Sequence, residues 1–170
     1  MEQIFHNFLD ATAKVNSILT SLIELGLEKQ QLIIFNQIND LDNLIRKEGI
    51  IVNNLTRAEQ LRYDEQKRLA GMLELRPEEL TASVLLAKVN EKYSMLHPEL
   101  NKELNDLTHQ LSQLKAINTH NNELIEQSLD YIDEMQALLS GDIAGTYSSY
   151  GEQEDEETSR PRISLLDKKI

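Results

Sequence analysis

Apolar side chains recur along most of this chain in alternating steps of four and three, the spacing that gathers them on one side of an α-helix. The pattern is longest between Pro98 and Leu139. There Leu100, Leu104, Leu107, Leu111, Leu114, Asn118, Asn121, Ile125, Ser128, Ile132, Met135 and Leu139 form one seam with no Gly or Pro inside it. This predicts a single helix over 98–139, roughly 60 Å long at about 1.5 Å per residue. Pro98 and Glu99 suit its first turn and Gly141 its end. A helix of that length predicts an elongated molecule. Asn118, Asn121 and Ser128 place polar groups on the apolar stripe, and buried amides cost free energy unless their hydrogen bonds are made. Either they set register inside a bundle or they face a groove for a partner.

The same steps run from Ile4 through Phe8, Val15, Ile18, Leu22 and Leu25 to Leu32, predicting a first helix over 2–36. It crosses Gly26 at a cost of about 1 kcal/mol relative to Ala, unless Gly26 ends it. A second helix, 40–70, carries Leu41, Leu44, Ile45, Ile51, Val52, Leu55, Ala58, Leu61 and Leu69. Gly49 is a soft spot in it, and a break near Asn53 and Asn54, followed by a capping box at Thr56–Glu59, is the alternative. Gly71 to Arg76 reads as a connection, and Pro77, Glu78 and Glu79 open a short helix over 77–93. Pro98 disfavours helix at His97 and forces a new start.

Beyond Gly141 the chain turns to Gly, Ser and Tyr and then to the acidic run Glu152–Glu157, which predicts a disordered tail over 141–170. Its end, Ile163, Leu165, Leu166 and Ile170, is either a small apolar docking clip or an unfolded terminus. The fold class expected is all-α: an elongated antiparallel bundle of three long helices plus a short connecting helix over 1–140, followed by the acidic tail.

Charge and composition narrow the function classes. A net charge of -12 leaves no basic patch for nucleic acid or an anionic membrane, so neither is an expected partner. The absence of cysteine removes disulfides, thiolate metal sites and cysteine catalysis together. No stretch approaches the roughly 18 consecutive apolar residues of a membrane span, and the N-terminal stretch lacks the features of a signal peptide. A soluble cytoplasmic protein is expected.

Candidate chemistry is sparse. Asp106 and His109, and His120 and Glu123, are spaced i,i+3. Both pairs lack the further inward carboxylates of a di-metal bundle, and Asp106 and His109 lie off the seam, so no metal site is expected. With no phosphate loop, nucleophile elbow or zinc spacing, neither enzyme nor cofactor is expected. Two readings remain. One is a groove for a partner helix, and the other is a self-associating structural or adaptor coiled coil that pairs through Leu100 to Leu114.

One stretch is more specific. Leu114, Ile117, Asn118, Asn121, Leu124, Ile125, Ser128, Leu129, Tyr131 and Ile132, a Leu138–Leu139 end, then Thr146, Tyr147 and Gly151 together resemble the FlgN-type flagellar export chaperones. Glu28 and Lys29 before the apolar turn Leu32–Leu41, and a long second helix through Arg62, are compatible with it. The resemblance implies a bacterial cytoplasmic chaperone of flagellar type III secretion. Such a protein binds the C-terminal amphipathic helices of hook-filament junction (hook-associated) proteins, prevents their premature assembly and delivers them to the export gate. It further implies Asn118, Asn121, Leu124, Ile125, Ser128, Leu129 and Ile132 as substrate-protein-binding residues and Tyr147 as the export-gate contact. The export ATPase complex is a further partner on this reading. A longer acidic insertion before the last residues departs from the shorter members and leaves the role of Ile163–Ile170 open.

Overall fold

The computed structural model describes residues 2–92 and 94–140, and among these the chain is all-helical, without strands. Four α-helices follow in order: α1 (Glu2–Ile34), α2 (Ile38–Met72), α3 (Ala82–Lys92) and α4 (His97–Ser140). A single 3-10 turn, Pro77–Glu79, precedes α3. The chain divides into two compact units, Met1–Leu129 and Asp130–Ile170. Of the second, residues 130–140 are described and form the last turns of α4. The segment expected as an acidic tail, with Gly141, Tyr147 and Ile163–Ile170, lies outside the described residues, as does Tyr93.

Within the first unit the apolar steps read from the sequence become two core clusters. Phe5, Phe8 and Leu9 of α1, Leu69 and Ala70 of α2, Leu80, Leu85 and Val89 around α3, and Leu100 of α4 form the basal one. Val15 and Leu19 of α1 with Ala58 of α2 form the second, with Leu55, Leu107 and Leu114 packed against it. Burying a side chain of this size contributes about 1.5–3 kcal/mol, which is why the apolar stripe and not helix propensity holds the long helices together. The start of α1 shares a cluster with the end of α2, and Lys29 late in α1 pairs with Glu48 early in α2. These two helices are therefore antiparallel. Bonds from Asn16 to Glu103, from Gln110 to Thr20 and from Asn121 to Gly26 show α4 running along α1 in the same direction.

Neither Gly26 nor Gly49 interrupts its helix, and α2 also passes Asn53 and Asn54 unbroken. Thr56, the capping residue of the alternative reading, instead donates its hydroxyl to the Val52 carbonyl at 3.1 Å, within one continuous helix. The α1–α2 link, 35–37, has the expected length but falls two residues earlier than the 37–39 expected. Asn36 adopts φ 53°, with Gln37 N–H donating to the Leu32 carbonyl and Asn36 N–H to that of Ile33. This left-handed closure lets α2 begin at Ile38, so Asn39 and Asp40 fall in its first turn instead of capping it. The same closure ends α2 around Glu74 (φ 55°), so Gly71 belongs to the helix and not to the connection.

Glu74 occupies a position that favours glycine, and its side chain is exposed. Replacing it with Gly removes the Cβ clash of the left-handed region and should raise unfolding free energy by about 1 kcal/mol. Chemical denaturation of Glu74→Gly beside the parent chain, with an unchanged slope, checks this.

The short helix expected over 77–93 is split. Leu80 N–H returns to the Pro77 carbonyl and closes one 3-10 turn, which drops the buried Leu80 side chain into the basal cluster. Thr81 then starts α3 afresh, its hydroxyl accepting from Val84 N–H at 3.3 Å. In the 3-10 turn Glu79 accepts from the Arg76 guanidinium at 2.9 Å and from its backbone N–H at 3.1 Å. These two bonds hold the exposed Glu79 carboxyl below the usual carboxylate range, the side-chain bond contributing most. At the next joint α4 takes in His97, one residue ahead of Pro98, because a first-turn proline gives up an N–H that has no partner within the helix anyway.

Candidate functional site

The seam of α4 separates into rows that meet different surroundings. Residues seven apart drift by only about 20° around a helix, so each row keeps one bearing over several turns. The row Leu100, Leu107, Leu114, Asn121 faces the bundle: Leu100 and Asn121 are buried, and Leu107 and Leu114 pack on the second cluster. The neighbouring row Glu103, Gln110, Ile117, Leu124 is half-buried, and its first three members touch α1. A third row follows on the other flank. Its Leu104 is covered by the basal cluster, but Leu111 is 50% exposed, Asn118 is exposed and Ile125 is 37% exposed. Leu129 widens this open flank and is 55% exposed.

Beside the apolar packing of Leu107 and Leu114, polar contacts join α1 to the middle of α4. Asn16 donates to the Glu103 carboxylate at 2.7 Å and to its carbonyl at 3.0 Å. Gln110 donates to the Thr20 hydroxyl at 3.0 Å, and Asn121 donates to the Gly26 carbonyl at 2.8 Å. Gly26 is buried because α4 comes so near that a Cβ there would lie 2.8 Å from Cγ2 of Ile117. Each of the three amides uses its N–H, while its oxygen is buried with no hydrogen-bond partner.

This geometry sorts the residues expected to bind a partner. Asn121, only 2% exposed, does not lie on an accessible face; it fixes α4 against Gly26. Leu124 is half-buried on the same side. Ser128 is exposed and donates its hydroxyl to the Leu124 carbonyl at 2.8 Å. Asn118, Ile125 and Leu129 share the open flank. Ile132 belongs to the second unit, where it is 45% exposed, with Tyr131, Met135, Leu138 and Leu139 also exposed. Tyr147 lies outside the described residues.

Two features of the flank escaped the sequence reading. Leu111 belongs to it, although the seam alone makes Leu111 equivalent to the bundle-facing leucines. Its outer edge carries both signs, with Lys115 exposed beside Leu111 and Glu126 exposed beside Leu129. Ile125, Leu129 and Leu111 are aliphatic and Asn118 is a neutral amide; what such a flank can do is receive another helix, whose side chains would pack between them. Among the described residues no helix is long and apolar enough to cross a membrane.

No curated protein and no solved structure gives a significant match to this chain. The family described as FlgN protein does match, over residues 1–155, a span that takes in all four helices. The chain therefore belongs to the FlgN family of flagellar export chaperones.

Proposed function

We propose that this chain is a bacterial cytoplasmic chaperone for the C-terminal amphipathic helices of hook-filament junction proteins. It keeps them from assembling early and delivers them to the flagellar type III export gate, with the export ATPase complex as a further contact. Its role is binding, without catalysis or cofactor. Family membership supports the setting. The observation that carries the cargo mode is the open flank of α4, where Leu111, Ile125 and Leu129 stand exposed although Leu100, Leu107, Leu114 and Asn121 of the same helix pack within the chain.

An amphipathic helix laid along this flank would cover its own apolar ladder and so be kept from self-association. Ordering a flexible terminus on binding costs several kcal/mol, which leaves the complex tight enough to escort and loose enough to release. Tyr147 follows α4 in sequence and is the proposed export-gate contact.

The test is co-purification of the full chain with the C-terminal helical segment of a hook-filament junction protein, with mass read by light scattering. A one-to-one complex is expected. Ile125→Arg or Leu129→Arg should abolish it while far-ultraviolet circular dichroism stays that of the parent, since both side chains are exposed. Complex formation that survives both substitutions removes the flank as the cargo site. The rival, a coiled coil self-associating through Leu100 to Leu114, meets a physical obstacle. Leu100 is 2% exposed in the basal cluster, and Leu107 and Leu114 are packed within the same chain.

A further inference from the structure

Two exposed apolar rows, one on α2 and one on α4, border the same side of the bundle. On α2 the row Ile38, Ile45, Val52, Glu59, Gln66 repeats every seven residues, and its first three members are 62%, 49% and 45% exposed. On α4 the row is Leu104, Leu111, Asn118, Ile125, with Leu129 beside it. At the base the two rows meet. Gln66 and Leu104 line one cleft together with Leu107 of α4 and with Leu80, Ala82 and Leu85 around α3. Here α3 fills the space between α2 and α4: Leu80, Leu85 and Val89 are buried, and Gln66 donates to the Leu80 carbonyl at 3.4 Å.

Beyond α3 the same two rows continue, exposed. Glu48 of α2 pairs with Lys29, and Asn121 of α4 bonds to Gly26, one turn away on α1, which fixes the two rows at one height. Ile45 and Val52 bracket Glu48, and Ile125 and Asn118 bracket Asn121. Ile45 therefore stands level with Ile125, and Val52 with Asn118. The rows are two walls of one groove.

We infer that this groove is an open fourth-helix position, filled at its base by α3 and farther along by an amphipathic helix of a partner protein. The inference deepens the chaperone reading and rests on it for the identity of that partner; it adds Ile38, Ile45 and Val52 of α2 as a second wall. What commits the groove to a helix is its continuity with the interface that α3 already makes between the same two rows. From Leu111 to Leu129 its open length is about 27 Å, room for about 18 residues of helix. An occupant that meets a wall on each side needs a wide apolar stripe, three or four positions in every two turns, instead of the narrow seam of a simple coiled coil. Charge does not choose it, since Lys115, Glu59 and Glu126 are all exposed along the rim.

The experiment uses the full chain and a synthetic helical peptide of about 18 residues, with Leu at positions a, d and e of each heptad and equal numbers of Lys and Glu elsewhere. Calorimetry should give one-to-one binding, weakened at least about tenfold by Ile45→Arg on α2 and, separately, by Ile125→Arg on α4. A matched peptide with Leu at a and d alone should bind at least about tenfold more weakly. Leu61→Arg, about 160° around α2 from Ile45, should bind as the parent does. All three positions are exposed, so circular dichroism should stay that of the parent.

No binding of the wide-stripe peptide, equal binding of the narrow one, parent-like affinity in Ile45→Arg, or an equal loss in Leu61→Arg overturns the inference. A dimer of the unaided chain that Ile45→Arg dissociates gives the groove to a second copy. A tenfold gain in affinity when the full chain carries Leu165→Asp and Leu166→Asp gives it to the chain's own end. Either result overturns the inference too. The junction-protein segment is titrated in parallel to separate the two claims. If it fails to bind while the wide-stripe peptide depends on both Ile45 and Ile125, the cargo identity is wrong and the groove stands. If it binds and loses affinity in Ile125→Arg but not in Ile45→Arg, the cargo reading stands and the second wall falls.

Discussion

Substituting Gly26 by Val should destabilise the first unit by about 2–4 kcal/mol, although valine is the better helix former. The position is a close approach and not a flexible joint. A Cβ there would lie 2.8 Å from Cγ2 of Ile117, and the same residue offers its carbonyl to Asn121 at 2.8 Å. Isoleucine is stiff about χ1 in a helix, so Cγ2 cannot swing away cheaply. The damage should therefore be partly undone by Ile117→Leu, which deletes that methyl and keeps the volume. Ile117→Val retains the methyl and should give no relief. Gly49 provides the opposite sign, since no heavy atom lies within 4 Å of a Cβ built there. Gly49→Ala should raise stability by about 1 kcal/mol through helix propensity alone. Denaturant midpoints for the variants decide the matter, and an unharmed Gly26→Val protein would sink the close-approach account.

Leu69→Ala should cost about 2–5 kcal/mol, a large share of the roughly 5–15 kcal/mol typical of a folded domain. Leu69 is fully buried, in the cluster where α1, α2, α3 and α4 all contribute side chains. The cavity left behind has walls on every side and little freedom to collapse. Leu129→Ala removes the same atoms from a side chain that is 55% exposed and should change stability by less than about 0.5 kcal/mol. Thermal unfolding followed by circular dichroism measures both. Comparable losses at the two sites would mean that Leu129 is packed in solution and that the flank is not free.

Helical class, the length of α4 and the antiparallel pairing of α1 with α2 were legible because long apolar periodicity leaves few alternatives. The bearing of each seam position was not. A four-three pattern treats Asn118 and Asn121 alike, yet residues three apart lie about 60° apart around the helix, and that difference puts one in solvent and the other against Gly26. The same limitation affects α2, where Val52 and Leu61 are 45% and 56% exposed while Ala58 between them is buried. Which side is covered depends on where other helices lie, and that is long-range information. Gly26 reads as a weakness because propensity scales assign its cost to the isolated helix, blind to the neighbour that needs the missing side chain. The break before α3 was hidden for a local reason. Pro77, Glu78 and Glu79 have the composition of a first turn, and Thr81 four residues on is a second start.

Asn16, Gln110 and Asn121 give the middle of α4 a kinetic character of its own. Each amide satisfies one atom and strands another, so water entering the seam recovers hydrogen bonds that the closed state lacks. Between α1 and α2, parting exposes Val15, Leu19 and Ala58 and breaks the Lys29–Glu48 ion pair. The two seams should therefore open at different free energies within one native state. Backbone amides of α4 from Gln110 to Leu124 should exchange with deuterium through a sub-global opening, while those of α1 and α2 wait for complete unfolding. The hairpin is then the permanent scaffold and the fourth helix the element that breathes, so the open flank is carried on the part of the molecule that yields first.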